Sequence, residues 1–222
     1  MIGKRGSHVG VIASFTLFVF FMIVLYFIME PTLTFKKDKQ VLADSIREGI
    51  NKEFSGNLTT AIVYSSPSTC LTVANSDIGV SGVGAVAKNQ NGASIISGFS
   101  PNNLIIDPPG TNLTWIYYSE GFAPSSKSDS GCSIPDIYSI RTTHPLFLGK
   151  IELGVSNFSE LKTKLGVPSG SDLAISFEYE GGNVIYAGEN KTSGNIYVKE
   201  IPIQYVDQSA NILSGKMRIK VW

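Results

Sequence analysis

The chain begins with a long apolar run. From Val9 to Met29, over 21 residues, no side chain is charged, and a helix rising about 1.5 Å per residue would cross the ~30 Å hydrocarbon core of a membrane. The apolar region of a secretory signal is shorter, about 7–15 residues, and precedes a small-residue cleavage site that is missing here. A buried core helix would carry a polar stripe. The pattern therefore predicts a transmembrane helix at residues 9–29, after a short basic segment at 1–8.

Small residues share one face in the first half of this predicted helix. Gly10 and Ser14 are four positions apart, which places them on the same side of a helix. Pairs of small residues at this spacing let transmembrane helices approach each other closely, although small residues are also common in such helices without that role. The spacing marks Gly10 and Ser14 as a candidate helix-packing site.

A polar juncture and an amphipathic segment follow over residues 30–56. Pro31 is expected to interrupt the helix, because proline removes a backbone hydrogen bond and clashes with the preceding turn. After the juncture, apolar residues recur every four positions with charged residues between them: Leu42, Ile46, Ile50 and Phe54. This period predicts an amphipathic helix that ends before Ser55.

From residue 57 to 222 the pattern changes to short β-branched and aromatic runs between turn residues. This pattern predicts a β-rich globular domain. The turn Asn-Gln-Asn-Gly predicts a hairpin between strands at 83–87 and 93–96. Pro202 predicts an edge or bulged strand, and the alternation after Lys216 predicts that the chain ends inside a sheet.

One short helix is expected within the β-rich domain. Asn157 precedes an apolar period and Glu160 follows three residues later, which is the capping-box arrangement. Gly166 and Pro168 predict where this helix ends. The predicted fold class is α+β: a single N-terminal transmembrane helix, an amphipathic helix, and a mainly antiparallel β-rich domain with one short helix.

Cys70 and Cys132 are the two cysteines of the sequence. In an oxidising compartment they can form a disulfide; the alternative is two separate buried thiols. Neither belongs to a C-x-x-C motif, so the spacing favours neither a zinc site nor a redox centre. We predict the disulfide on condition that the domain lies outside the cell.

The orientation of the helix in the membrane is predicted from several features, and they disagree with the count of basic residues on its two sides. Lys4 and Arg5 precede the helix and three lysines follow it, an excess that would favour a cytoplasmic C-terminal domain. That domain is rich in Ser, Thr, Asn and Gly, however, and the tail before the helix is very short. The domain also contains four N-x-S/T acceptors for N-glycosylation. We therefore expect a single-pass protein of the cell membrane with an extracellular C-terminal domain. Because Asn157 is assigned to a helix cap, the glycan acceptors expected are Asn57, Asn112 and Asn190.

The sequence offers little catalytic chemistry. Its 18 basic and 18 acidic residues balance, and no basic patch marks a nucleic-acid partner. His8 and His144 stand outside any metal-ligand spacing, so we expect no enzyme activity, metal or cofactor. Trp115 and Tyr117 would share one face of a strand with Tyr118 on the other. Core packing explains such a row, and binding of a sugar or protein partner is the alternative.

The N-terminus resembles that of a known family. Lys4-Arg5-Gly6-Ser7 before an apolar helix is similar to the class III signal peptide of archaeal type IV pilins and archaellins. The resemblance implies cleavage between Gly6 and Ser7 by a prepilin peptidase, after which the helix forms a filament core and carries a β-rich head. Many pilins have a glutamate at the fifth position after the cut, where this chain has Val11.

Two functions are therefore expected of this layout. The first is a pilin-like subunit or minor pilin, whose partners are the membrane and other proteins or copies of itself, through the N-terminal helix. The alternative is a single-pass tethered ectodomain that binds a surface glycan or a partner protein. The two differ in N-terminal processing and in self-association.

Overall fold

A computed structural model describes residues 6–128, 131–192 and 194–222. The helices within these ranges are α1 Gly6–Phe54, α2 Asn75–Ile78, α3 Leu148–Ser156 and α4 Phe158–Lys164. The strands are β1 Leu58–Tyr64, β2 Leu71–Ala74, β3 Gly84–Asn89, β4 Ser94–Ile95, β5 Ser97–Ser100, β6 Asn103–Ile106, β7 Leu113–Ser119, β8 Asp136–Thr143, β9 Leu146–Phe147, β10 Leu173–Glu178, β11 Val184–Ala187, β12 Tyr197–Val206 and β13 Ile212–Val221.

α1 is one continuous helix of 49 residues, about 74 Å long at 1.5 Å per residue. It passes through Pro31, so the prediction that this proline interrupts the helix is wrong. A proline inside a helix costs about 3 kcal/mol, but its effect is local. The lysines and glutamine at positions 36–40 are good helix formers, and the helix beyond them is held by packing.

The C-terminal part of α1 packs on a five-stranded sheet with the order β11-β10-β13-β12-β9. The predicted amphipathic stripe is confirmed, because Ile46 and Ile50 are fully buried, Phe54 is 2% exposed, and Leu42 packs against the same cluster. We name this cluster the helix core. Its contributions from the sheet include Leu173, Ile175, Phe177, Met217, Ile219 and Val221.

The short helix that the sequence predicts is α4, and a second helix that it does not predict, α3, directly precedes it. They meet at Asn157, whose side chain makes no capping hydrogen bond. The capping-box prediction is wrong because the preceding residues are already helical, and the Asn157 N–H donates to the Leu153 carbonyl. Glu160 pairs instead with Lys164 at 3.1 Å. The predicted stop is confirmed, since Gly166 follows α4 with a φ of 65°.

The segment 58–143 forms a β-sandwich from two sheets, with the orders β4-β3-β7-β1-β8 and β2-β6-β5. The predicted hairpin is confirmed, with Ala87 opposite Ile95. We name the cluster that both sheets supply the sandwich core. It contains aliphatic side chains and one tyrosine, among them Ala61, Val63, Leu71, Val73, Leu104, Ile106, Ile116 and Tyr118.

The chain ends inside a sheet, as predicted, because β13 pairs with β10 on one side and β12 on the other. β12 pairs along its whole length with β13 but meets β9 only at Tyr205 and Val206. Pro202 therefore lies in a strand whose other edge is largely open, as its missing N–H requires. The short β9–β12 pair is parallel and the other pairs among the strands described above are antiparallel, which confirms an α+β, mainly antiparallel fold.

A third cluster joins the sandwich to the helix-core sheet. Leu58, Phe122 and Phe147 are buried in it together with Val206 and Ala210. The rings of Phe122 and Phe147 meet edge to face, with centroids 5.9 Å apart. The β-rich part of the chain therefore has two cores and an apolar contact between them.

Candidate functional site

The apolar first part of α1 is the first candidate for a functional element. Every side chain from Val9 to Met29 is exposed, and this stretch of 21 residues has a mean hydropathy of 2.7. It is long and apolar enough to cross a membrane. Burying this surface against lipid or other apolar helices would be favourable, at about 25 cal/mol per Å² of apolar area.

The candidate packing and processing residues lie at the start of this helix. Gly10 and Ser14 are both exposed, and a Cβ at Gly10 would have no heavy atom within 4 Å. No part of the described chain covers this face. The helix begins at Gly6, so the bond between Gly6 and Ser7 lies at its N-terminal end. Lys4 and Arg5 lie outside the described residues.

The second part of α1 is fixed to the head by complementary small and large residues. The Phe54 ring meets the Phe177 ring edge to face at 5.8 Å, and Gly154 of α3 lies directly against it. Gly49 lies under Leu165 in the same way. These glycines bring α1 close to its neighbours, since a larger side chain would need the same space.

Polar contacts at both ends of the packed segment hold the helix in register. The Lys39 ammonium donates to the Ser171 hydroxyl at 2.9 Å, and Lys199 forms an ion pair with Asp44. At the other end, the Lys150 ammonium donates to the Ser55 carbonyl at 2.7 Å. The head is therefore attached along about four turns of α1, and the apolar span projects from it.

The predicted disulfide between Cys70 and Cys132 is confirmed, with the Cα atoms 4.8 Å apart. It ties the start of β2 to the loop before β8. The neighbouring backbone is paired as well, because the Ser133 N–H donates to the Cys70 carbonyl and the Thr72 N–H donates to the Ser133 carbonyl. The bridge therefore closes the sandwich at the end of its smaller sheet.

All four N-x-S/T asparagines are exposed: Asn57, Asn112, Asn157 and Asn190. The Asn190 side-chain oxygen accepts a hydrogen bond from Lys220 at 2.9 Å. The exclusion of Asn157 from the expected glycan acceptors rests on the predicted helix cap. Its side chain makes no capping bond, so that reason no longer holds.

An open aromatic cleft of about 600 Å³ lies on the outer face of the sandwich. Tyr64, Trp115 and Tyr138 line it, and the rings of Tyr64 and Tyr138 meet edge to face at 6.1 Å. The aromatic row of β7 thus divides: Tyr118 is in the core, while Trp115 faces the cleft. Sequence reasoning missed the two tyrosines because they come from β1 and β8, and it did not predict that these strands lie next to each other beside β7 in one sheet.

Two further cavities have linings that mix polar and apolar residues. One, of about 780 Å³, is lined by the amides of Asn75, Asn102 and Asn103 and by Glu120, with no histidine or cysteine in its lining. The other, of about 470 Å³, brings His144 near Arg47 and Lys52 without a carboxylate in its lining. Within the part of the chain that the structure describes, no group of three or more His, Cys, Asp or Glu residues could hold a metal ion.

The pKa shifts follow from burial and surface pairing. Burial raises the pKa of the Tyr117 and Tyr118 hydroxyls and lowers the pKa of the Lys88 ammonium, against the attraction of Asp207. A hydrogen bond from Lys162 is the main reason that the pKa of Asp172 lies below its ordinary value. These groups pack and pair within the fold.

Comparison with known proteins adds no relative. No protein-family model matches the chain, and neither a curated protein nor a solved structure matches it.

Proposed function

We propose that this chain is a pilin-like subunit or minor pilin, held in the membrane by its N-terminal helix, with the β-rich head outside the cell. The observation that carries the proposal is α1 itself. One unbroken helix has an exposed apolar first part and a second part buried in the head. A plain anchor needs only a span and a flexible linker, whereas here span and head form one continuous element.

A continuous helix suits assembly for a mechanical reason. A head fixed along four helical turns follows any shift or rotation of the span, so neighbouring spans also determine how neighbouring heads meet. The open face at Gly10 and Ser14 is available for another helix. Val11 takes the position where many pilins have a glutamate, so contact between subunits would depend here on apolar packing and not on that charge.

The extracellular placement of the head is part of this proposal. Disulfides persist in oxidising environments and are rare in the cytosol, and this head contains one. Its exposed acceptors at Asn57, Asn112 and Asn190 are accessible to a glycosylation machinery. We propose that these three asparagines carry glycans; Asn157, which is exposed and makes no capping bond, is a fourth acceptor of the same kind.

Processing by a peptidase tests the proposal. The full chain is expressed in membranes together with an archaeal prepilin peptidase, and the N-terminus is read by mass spectrometry. The expected product begins at Ser7, and Gly6→Val should abolish its formation. Gly10→Val is the matched control, because it changes a glycine of the span and leaves the cleavage site intact. Absence of cleavage in the wild-type chain, or equal cleavage of the Gly6→Val chain, would contradict the proposal.

The aromatic cleft favours a second candidate function, a tethered ectodomain that binds a surface glycan. Aromatic faces beside polar side chains stack on sugar rings, and Trp115 lies next to Gln90 and Asn112 in the cleft lining. Titration with cell-surface glycans should then change tryptophan fluorescence in the wild-type chain and not in Trp115→Leu. An uncleaved N-terminus together with this binding would favour the ectodomain over the subunit.

A further inference from the structure

β8 is an unusual edge strand. It runs for eight residues at the border of its sheet and pairs with β1 on one side. Seven of its eight residues are exposed, and Ile137, Tyr138 and Ile140 are 37%, 72% and 44% exposed. Long edge strands with apolar side chains invite pairing with another strand, and proteins usually shorten or charge them.

An irregularity in β8 arranges its charges. Along β1, Tyr64 lies opposite Asp136 and Thr60 lies opposite Arg141, with a register shift between Ile62 and Val63. Side chains five positions apart on a regular strand point to opposite faces. The extra residue in β8 shifts the alternation of side chains by one position. Asp136 and Arg141 therefore share the outer face.

The same shift brings two isoleucines onto the opposite face. Ile137 lies opposite Val63 and Ile140 lies opposite Ala61, and both of these β1 residues belong to the sandwich core. Tyr138 and Ser139 lie between them along β8. From either end, the stretch from Asp136 to Arg141 therefore has the same order: a charged residue, an isoleucine and then the central pair.

We infer that β8 pairs with β8 of a second copy of this chain, antiparallel and around a two-fold axis perpendicular to the sheet. With such an axis, the outer face of one sheet continues into the outer face of the other. A residue can therefore lie opposite only a residue of the same face in the second copy. Asp136 then meets Arg141 of the second copy, and Arg141 meets Asp136. On the opposite face, Ile137 of each copy meets Ile140 of the other copy.

Charge complementarity is what selects a second copy as the partner of this edge. Asp136 and Arg141 have no ion-pair partner within the described ranges, and self-pairing supplies one to each. The paired sheets would continue across the axis as ten strands and place two aromatic clefts side by side, because Tyr138 belongs to both features. This inference concerns the heads alone and goes beyond the function proposed for α1.

Charge exchange between full-length chains tests the inference. Association is measured by fluorescence-detected sedimentation in density-matched detergent for the wild type, Asp136→Arg, Arg141→Asp and the double variant. Each single change puts like charges opposite each other at two places, so association should weaken on the order of tenfold. The double variant should regain wild-type association, and so should an equal mixture of the two single variants.

Two further variants keep the result specific. Asp77→Arg makes the same charge change on α2, away from β8, and should associate like the wild type. Ile140→Lys places a lysine on the edge and should weaken association more than either charge change. The span is identical in all chains, so its own association cancels in the comparison, and N-terminal processing can succeed or fail independently. Equal association of all chains, no association of the wild type, or no recovery in the double variant and the mixture would overturn the inference.

Discussion

Gly84 determines how closely β3 approaches the turn after β7. A Cβ at this position would lie 2.3 Å from the Phe122 carbonyl oxygen, and a backbone atom cannot move aside as a side-chain tip can. A glycine in a run of small residues is visible in the sequence, but its close neighbour is not, because Phe122 is reached only through the pairing of Gly84 with Ser119.

Gly84→Ala is therefore expected to destabilise the head by about 1–3 kcal/mol, the usual range for overpacking. Urea unfolding monitored by circular dichroism measures the change. Gly149→Ala is the matched control: its Cβ would meet only the end of the Gln208 side chain, at 2.8 Å. That variant should be as stable as the wild type or more so, because alanine is the better helix former. Equal stability of the two variants would contradict this packing account.

Asp172 links three parts of the head through its side chain and backbone. Its carboxylate accepts hydrogen bonds from the Lys162 ammonium at 2.7 Å and the Leu173 N–H at 2.8 Å. Its backbone exchanges two hydrogen bonds with Trp222. The ion pair lowers the pKa of Asp172 below 3.8, so the charged form is favoured by folding.

The pH dependence follows from the sign of that shift. A carboxyl group whose pKa is lower in the folded state stabilises fully above its unfolded pKa, and the stabilisation is lost as the pH falls through the lowered value. Asp172→Asn should cost up to about 1 kcal/mol at pH 7, the range of an exposed ion pair. The difference from wild type in urea midpoint should therefore shrink as the pH falls through the lowered pKa of Asp172. A difference that grows as the pH falls would show that the ion pair is not its source.

At the scale of elements, periodicity predicted what single residues did not. The four-residue spacing that ends at Phe54 correctly identified the buried face of α1. The predictions made from Pro31 and Asn157 were wrong because they rested on the local preference of a single residue. In the structure, α1 continues through Pro31, and α3 continues up to Asn157. β8 was not predicted, since its register shift breaks the two-residue alternation by which a strand is recognised.

The packed part of α1 is an element of the head and not of the anchor. Removal of residues 1–38 should leave a soluble, folded head, because the buried stripe begins at Leu42. Removal of residues 1–54 takes Ile46, Ile50 and Phe54 out of the helix core, at about 2–5 kcal/mol for each large side chain lost. That shorter chain should be unfolded or insoluble. Proton NMR distinguishes the two products, and a well-folded product lacking residues 1–54 would contradict the assignment of α1 to the core.

The disulfide stabilises the sandwich by constraining the unfolded chain. Cys70 and Cys132 are 62 positions apart, and a loop of this length corresponds to about 4 kcal/mol on the loop-entropy estimate. Replacing both cysteines by serine should lower the stability of the head by about that amount in urea unfolding. Reduction of the wild type should have the same effect as the double substitution. A double variant as stable as the wild type would contradict the prediction that the disulfide stabilises the head.

At the scale of the whole molecule, two cores act together through one contact region. Phe122 of the sandwich packs against Phe147 of the helix-core sheet, and the Lys88 ammonium donates to the Asn211 side chain across the same boundary at 2.6 Å. The α+β class and the apolar helix could be predicted from the sequence. The division into a sandwich and a helix-bearing sheet could not, because it depends on pairings between strands that are far apart in the chain.

The central claim is that α1 is an assembly helix released by processing, and its most direct test is the N-terminus of the native protein. Intact mass and terminal sequence are measured on the chain extracted from its own membrane. The account predicts a chain that begins at Ser7, which would leave Val11 at the fifth position of the mature helix. A chain that begins at Met1, or at Ile2 after removal of the methionine, would contradict the pilin-like assignment and leave the tethered ectodomain.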